Sequence, residues 1–370
     1  MISSLVKPFE SAIEESTVKL TELSSEGKKI FGYFCTCTPI EIIHASGFVP
    51  VRITGDAGSV EKAYNLIPDF ICPFMKRSLE KVLNGEYQYL SGIIQGYSCD
   101  AACGVVNIWE KNITGDLFEI LPLPYNDNSG ARDFFRSVIR ILIRKLDNQG
   151  GNYSDENLEI TLTLYGNIRK ILMNIYDLRY RDQLPVSSRE LWVIIQAGFV
   201  TQPEEYYHLL ENFQAEIKGK ASRKNKGIPV LVSGSLIESG NLFDFLETCG
   251  AKIVADDLCT GIRSFYPAEG EGKDPLERLI DRLQRKFPCP TRARAEERLV
   301  EILKLVSFSG AKGVVFMVQK FCTPHLSDYP FLSKEMKNHG IQSLLIEMDE
   351  NWKAEAQLRT RIEGFLEMLE

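Results

Sequence analysis

Histidine is scarce, at four in 370 residues, so a zinc centre built on imidazole has few side chains to draw on. No Cys-x-x-Cys pair occurs, and ribbon-type zinc and compact ferredoxin patterns are therefore missing. No Gly-x4-Gly-Lys-[Ser/Thr] loop occurs either, so the chain has no P-loop to hold the phosphates of ATP. Basic residues do not dominate: 43 Lys and Arg stand against 50 Asp and Glu, a net charge of −7. That balance argues against general nucleic-acid binding, which needs a basic face. The apolar runs, such as Gly313–Val318 and Gly92–Ile94, fall far short of the ~20 residues of a membrane span. The amino-terminal stretch turns acidic at Glu10, too early for a signal peptide. These features predict a cytoplasmic protein, with neither membrane nor nucleic acid among its partners.

What is present is an ordinary globular composition, 44% hydrophobic and 25% charged, long enough for two or three domains. Short apolar runs alternate with helical patterns at Ile30–Phe34, Val49–Ile53, Leu90–Gln95 and Leu117–Leu121, and again at Pro229–Val232, Lys252–Ala255, Gly313–Val318 and Gln342–Ile346. Such alternation implies parallel sheets covered by helices. Between them, Ala131–Leu146, Ser154–Leu178, Ser187–Ala197 and Pro203–Ile217 carry only helical spacing. Lys218–Gly227 has the composition of a connector. The expected architecture is α/β: two Rossmann- or flavodoxin-like domains, 1–128 and 220–370, flanking a helical segment, 129–219.

Nine cysteines stand out. Cys35 and Cys37 follow the first strand, and Cys99 follows the third, with Cys103 one helical turn on. Cys259 follows Lys252–Ala255, Cys322 follows Gly313–Val318, and Cys72 sits in a loop before a helix. Parallel α/β sheets bind ligands outside the carboxyl ends of their strands, so seven thiols fall where function is built. Cys249 reads as a core residue and Cys289, between two prolines, as a loop residue. A soft, widely spaced, all-sulfur set suits an iron–sulfur cluster better than zinc.

Several segments then carry a family resemblance. Tyr33–Gly55 (YFCTCTPIEIIHASGFVPVRITG), Ile71–Glu110, Ile120–Tyr125 (ILPLPY), Ser233–Ser239, Val254–Tyr266 (VADDLCTGIRSFY), Gly313–Glu350 and Gln357–Glu370 resemble, in order and spacing, the 2-hydroxyacyl-CoA dehydratase and benzoyl-CoA reductase family. The resemblance covers nearly the whole chain and is weakest in the helical middle. It implies a 4Fe-4S cluster in the cleft between the two α/β domains, held by Cys72, Cys99 and Cys322, in a heterodimer with a related subunit or in a homodimer. It also implies a separate 4Fe-4S ATPase activator that injects one low-potential electron. In dehydratases that electron makes a ketyl radical of an acyl-CoA thioester, which then expels its 2-hydroxyl. In benzoyl-CoA reductases it reduces an aromatic ring.

The additional thiols Cys103, Cys35, Cys37 and Cys259 keep a further branch open, the ATP-dependent reductases that hold an 8Fe-9S double cubane. Thr36, Cys37 and Thr38 are candidates to meet a substrate oxygen, and Arg52 and Arg263 to bind the acyl-CoA. Ser235 and Glu238 have capping-box spacing. Asp256 and Asp257 form a carboxylate pair that moves protons, caps a helix or pairs with Arg263. The competing classes are a non-catalytic scaffold subunit and a zinc-binding or metal-storage protein.

Overall fold

The computed structural model describes residues 2–55, 58–126, 128–223, 225–292, 294–349 and 355–370. The elements run α1 (Lys7–Ser25), β1 (Ile30–Tyr33), α2 (Ile40–Ala45), β2 (Val49–Arg52), α3 (Pro73–Leu83), β3 (Gly92–Gly96), α4 (Asp100–Asn112) and β4 (Leu117–Leu121). Helices α5 (Ser129–Asn148), α6 (Asp155–Tyr180), α7 (Ser188–Val200) and α8 (Pro203–Ile217) follow. The last part contains β5 (Ile228–Gly234), α9 (Asn241–Thr248), β6 (Ala251–Asp257), α10 (Pro275–Gln284), α11 (Ala295–Ser309), β7 (Gly313–Gln319), α12 (Thr323–Asn338), β8 (Gln342–Met348) and α13 (Glu355–Glu367). Among the described residues no helix is long and apolar enough to cross a membrane.

The strands pair into two four-stranded parallel sheets with the same strand order, β2-β1-β3-β4 and β6-β5-β7-β8. The inner strands β1, β3 and β7 are buried along their whole length, which explains their near-continuous apolar runs. In each sheet the chain first steps outward and then returns past its starting strand. This reversal places a topological switch point between β1 and β3, and another between β5 and β7, where the loops part and leave a crevice.

Two glycines fix how tightly the sheets close. Gly92, at the start of β3, has φ +148°, and a Cβ there would run into the carbonyl of Leu117 on β4. Gly234, at the end of β5, has φ +140° and meets Met317 of β7 in the same way. Gly104 on α4 is exposed with open space at its Cβ position. Gly234→Ala is therefore expected to cost more than about 1 kcal/mol, and Gly104→Ala to gain roughly 0.4–1 kcal/mol. Urea midpoints that move in opposite directions at constant slope would bear this out; a neutral Gly234→Ala would refute the close approach.

Packing departs from the sequence reading in several places. Helix α1 has no clear sequence pattern: its buried residues, Phe9, Ala12 and Leu20, are sparse. Phe9 nonetheless meets Tyr206 and Phe213 of α8 edge-on. The apolar spacing of Ser59–Leu66 predicts a helix, but the stretch holds only a single 3-10 turn, Ala63–Asn65. Helix α10 belongs to the second half of the chain, yet Leu276, Leu279, Ile280 and Leu283 are buried with Phe31, Ile42 and Phe135 of the first. The capping box expected at Ser235 and Glu238 is not formed. Helix α9 starts only at Asn241, the Ser235 hydroxyl accepts from the Gln319 N–H, and Glu238 pairs with Arg77 of α3. A capping box does form at Ser187 and Glu190, opening α7. Apolar spacing predicts helices over Ala293–Ser309 and Ala354–Glu370; their first residues, Ala293 and Ala354, and Lys224 of the connector lie outside the described residues.

Candidate functional site

Three of the cysteines share one local geometry. Cys72 is the N-cap of α3, Cys99 of α4 and Cys322 of α12. Proline at the start of α3 and α12 suits an N-terminus, because its missing N–H would be unpaired there anyway. The first-turn N–H groups of Met75, of Ala101 and Ala102, and of His325 favour the ionised forms of Cys72, Cys99 and Cys322 respectively, although none of the three sulfurs makes a capping hydrogen bond. Helix N-termini favour negative charge through these N–H groups and the helix dipole. Just before Cys322, Phe321 has φ +64°, a conformation costly for an aromatic residue and of the kind that clusters at functional sites.

The fold brings these three thiols together from both halves of the chain. Cys99 raises the pKa of Cys72 by charge repulsion, and both raise that of Cys322. Burial is the larger cause in each case and pushes the Cys72 thiol up to about 12. Three half-buried thiols beside one another are costly to ionise without a cation between them. A soft metal group supplies that cation, and its affinity for thiolate matches this donor set. Among the described residues no three His, Cys, Asp or Glu side chains are placed to hold a single ion. A cubane takes each thiolate on a different iron, so its ligands need not converge on one point. The residues fit such a group: Cys72, Cys99 and Cys322 would hold it.

The remaining thiols divide. Cys103 lies beside Cys99 on α4, pushed up to about 11 mainly by burial. Cys35, Cys37, Cys259 and Cys289 form a second group in mutual electrostatic contact. Cys35 and Cys37 shift each other in opposite directions: Cys35 is raised by Cys37 and by burial, while Cys37 is lowered by Cys35 and by Arg292 and Lys286. Cys289 therefore joins the site despite its loop-like sequence setting. The two groups adjoin, since Cys259 also raises Cys322. Cys249 is buried in the core packed by α9 and α13, in keeping with its sequence setting.

Buried polar groups order the loops that carry the thiols. The Gln95 side chain accepts from the N–H groups of Phe34 and Cys35, at 2.9 and 3.2 Å, and donates to Ser98. The Thr38 hydroxyl accepts from Gly96 N–H at 3.0 Å, so it braces β1 against β3. Arg52 donates to the carbonyls of Phe34 and of Cys259 across the cleft, at 3.1 and 2.8 Å. Arg263 pairs with Asp257, donates to the Cys259 sulfur at 3.4 Å and meets His325 Nε2 at 3.3 Å. Both arginines are buried, at 3% and 2% exposure. Arg298 also holds Asp257, whereas Asp256 is held by Tyr176 and Arg179 of α6. The two aspartates thus serve separate ion pairs. Of the other histidines, His44 bridges Thr161 and Glu204, and His208 is exposed, pairing with Glu211.

Sequence reasoning missed a set of charged residues beside the Cys35–Thr38 loop. Glu41 of α2 is fully buried, and both Arg169 of α6 and Arg282 of α10 pair with it. The Lys286 ammonium reaches the carbonyl of Thr36. The signal was present in the sequence as a glutamate on the otherwise apolar stretch Ile40–Ile43.

Most of the chain is shared with known proteins. Over 356 residues the chain is 28% identical to the (R)-phenyllactyl-CoA dehydratase beta subunit of Clostridium sporogenes, covering 95% of this chain and 94% of the relative. It is 27% identical to the lactoyl-CoA dehydratase subunit beta of Anaerotignum propionicum, covering 93% and 92%. It is 24% identical to a benzoyl-CoA reductase subunit of Thauera aromatica, covering 88% and 86%. The profile of the family described as 2-hydroxyglutaryl-CoA dehydratase, D-component, matches residues 35–369. With residues 35–369 matched by that profile, the chain belongs to the 2-hydroxyglutaryl-CoA dehydratase D-component family.

Proposed function

We propose that the chain is the beta-type subunit of a 2-hydroxyacyl-CoA dehydratase-type enzyme, holding a 4Fe-4S cluster on Cys72, Cys99 and Cys322. The observation that carries this reading is the meeting of three N-cap thiols from both halves of the chain. When bound, such a cluster supplies electrons at low potential and, with three protein ligands, an open iron that polarises an oxygen. The protein's own part is to set the three thiolates at helix N-termini, where the helix dipole favours negative charge. It also keeps the surrounding arginines engaged, Arg52 with the carbonyls of Phe34 and Cys259 and Arg263 with Asp257. Its partners are a related subunit, an acyl-CoA and a separate ATPase activator.

Dependence on the activator follows from energetics. A thioester accepts an electron only below the roughly −400 mV of plant-type ferredoxins, and this sequence contains no P-loop with which to couple ATP. Anaerobic protein with its paired subunit and a chemical reductant is expected to turn over an acyl-CoA repeatedly only when ATPase and ATP are both added. Sustained turnover with neither would contradict electron injection.

A second reading has its own observation. Cys35, Cys37, Cys259 and Cys289 adjoin the first thiol group, and Cys259 interacts with Cys322. That supply of thiols fits an 8Fe-9S double cubane and a low-potential reductase. Iron content separates the two readings, at about eight per chain against about four for a single cubane.

A further inference from the structure

A cavity of about 70 Å³ lies where α2, α6, α7 and the end of α10 meet beyond β1. Its walls are largely apolar and include Ile168, Leu172, Ile195 and Phe265. Its charged lining is unbalanced: Arg52, Arg169, Arg282 and Lys286 face a single carboxylate, Glu41. Arg169 and Arg282 both pair with the same Glu41 oxygen, Oε1. The carboxylates on the neighbouring elements are engaged elsewhere: Glu204 with His44, Glu159 with Arg278, Glu269 with Lys170, and Asp281 with Arg132 and Arg285. Counting Cys37 as a thiolate still leaves more cations than anions.

Unmet hydrogen bonds accompany the unmet charge. Arg282 Nε and Glu41 Oε2 are buried without a protein partner, on residues 2% and 0% exposed, and so is the hydroxyl of Thr201 on the same lining. Buried polar groups are almost always satisfied, so orphans gathered on one cavity point to something that fills it. The unused donor and the surplus of cations ask for an anion. The unused carboxylate oxygen asks for a donor, and the apolar walls ask for carbon. Inorganic phosphate and chloride meet the first demand alone.

We propose that this cavity is a binding site for a small hydroxylated carboxylate, with the carboxylate drawn to Arg282 and Lys286 and the hydroxyl donating to Glu41. Burial beside Arg169 pushes the Arg282 guanidinium down to about 9, and burial beside Arg282 pushes Lys286 down to about 7, which is the mark of positive charge short of a counter-ion. The site stands independently of any iron–sulfur cluster, because none of these groups needs one.

The test is calorimetry on the full chain purified without iron. The probes are glycolate and 3-hydroxybutyrate, their deoxy partners acetate and butyrate, 3-hydroxybutyramide, phosphate and chloride. At least one hydroxy acid should bind, its deoxy partner about three- to tenfold more weakly, and the amide not at all. Arg282→Gln should weaken binding at least about tenfold. Lys286→Gln, at a half-buried position that the fold tolerates more readily, should weaken it in the same direction. Glu41→Gln should tighten the deoxy acids and shrink the advantage of the hydroxyl. No heat with any of the acids, equal binding of the amide, or equal binding of phosphate or chloride would each overturn the proposal, and all these results are read without the cluster or its activity.

Discussion

Cys322→Ser protein, purified without oxygen and reconstituted with iron and sulfide, is expected to be nearly colourless. Cys322 caps α12 beside β7 and is the only one of the three N-cap thiols contributed by the second half of the chain. Its loss leaves Cys72 and Cys99 on the first half alone, with two of three protein ligands. Cys72→Ser and Cys99→Ser should behave alike, with acyl-CoA turnover down by more than about 100-fold, beyond the range reached by altering groups that only orient the ligands of a metal site. Cys249→Ser, deep in a hydrophobic core, should keep its colour and lose only a little stability. Full iron in any of the three N-cap variants would remove that cysteine from the ligand set. Full iron in all three would remove the assignment.

A second large effect is expected at Asp257. Its carboxylate is fully buried between Arg263 and Arg298, which are 2% and 0% exposed, and it also accepts from the Ser233 hydroxyl at 2.8 Å. The arginines hold its pKa below the usual carboxylate range against the opposing effect of burial. Removing one partner of a buried ion pair strands the other, which costs about 3–5 kcal/mol. Here two guanidiniums would be stranded, so Asp257→Ala should lower Tm by roughly 6–10 °C at least. Asp328→Ala removes only a 3.4 Å contact at the outer edge of Arg298 and should move Tm far less. The damage should also reach the site, because Arg263 touches the Cys259 sulfur and His325, and His325 lies in the first turn of α12, which Cys322 opens. Asp257→Ala with the Tm of the natural chain would show that the network is not structural.

The fold is legible where local pattern and tertiary role coincide. Val314, Val315 and Phe316 form a strand because a β-branched apolar run fits the centre of a parallel sheet. The N-cap cysteines can be placed because a strand end followed by a helix start is itself a sequence pattern. Helix α1 is hard to see because few of its positions face a core. Glu238 misleads because its spacing from Ser235 is local, while its true partner, Arg77, is 161 residues away. The same applies to α10: its apolar stripe is plain in the sequence, but nothing local says that it packs on the first half of the chain. Glu41, Arg169 and Arg282 look like ordinary helix charges, and only the fold puts all three against one cavity. Cys289 reads as a loop residue because prolines flank it; that loop returns to the thiols after β1.

The most direct measurement of the central claim is iron and acid-labile sulfide per chain in the natural sequence, prepared and reconstituted under strict exclusion of oxygen. Cys72, Cys99 and Cys322 as cluster ligands predict about four of each per chain, or about eight irons if the second thiol group joins them. A chain that stays free of iron after reconstitution, or takes up zinc in its place, would contradict the account.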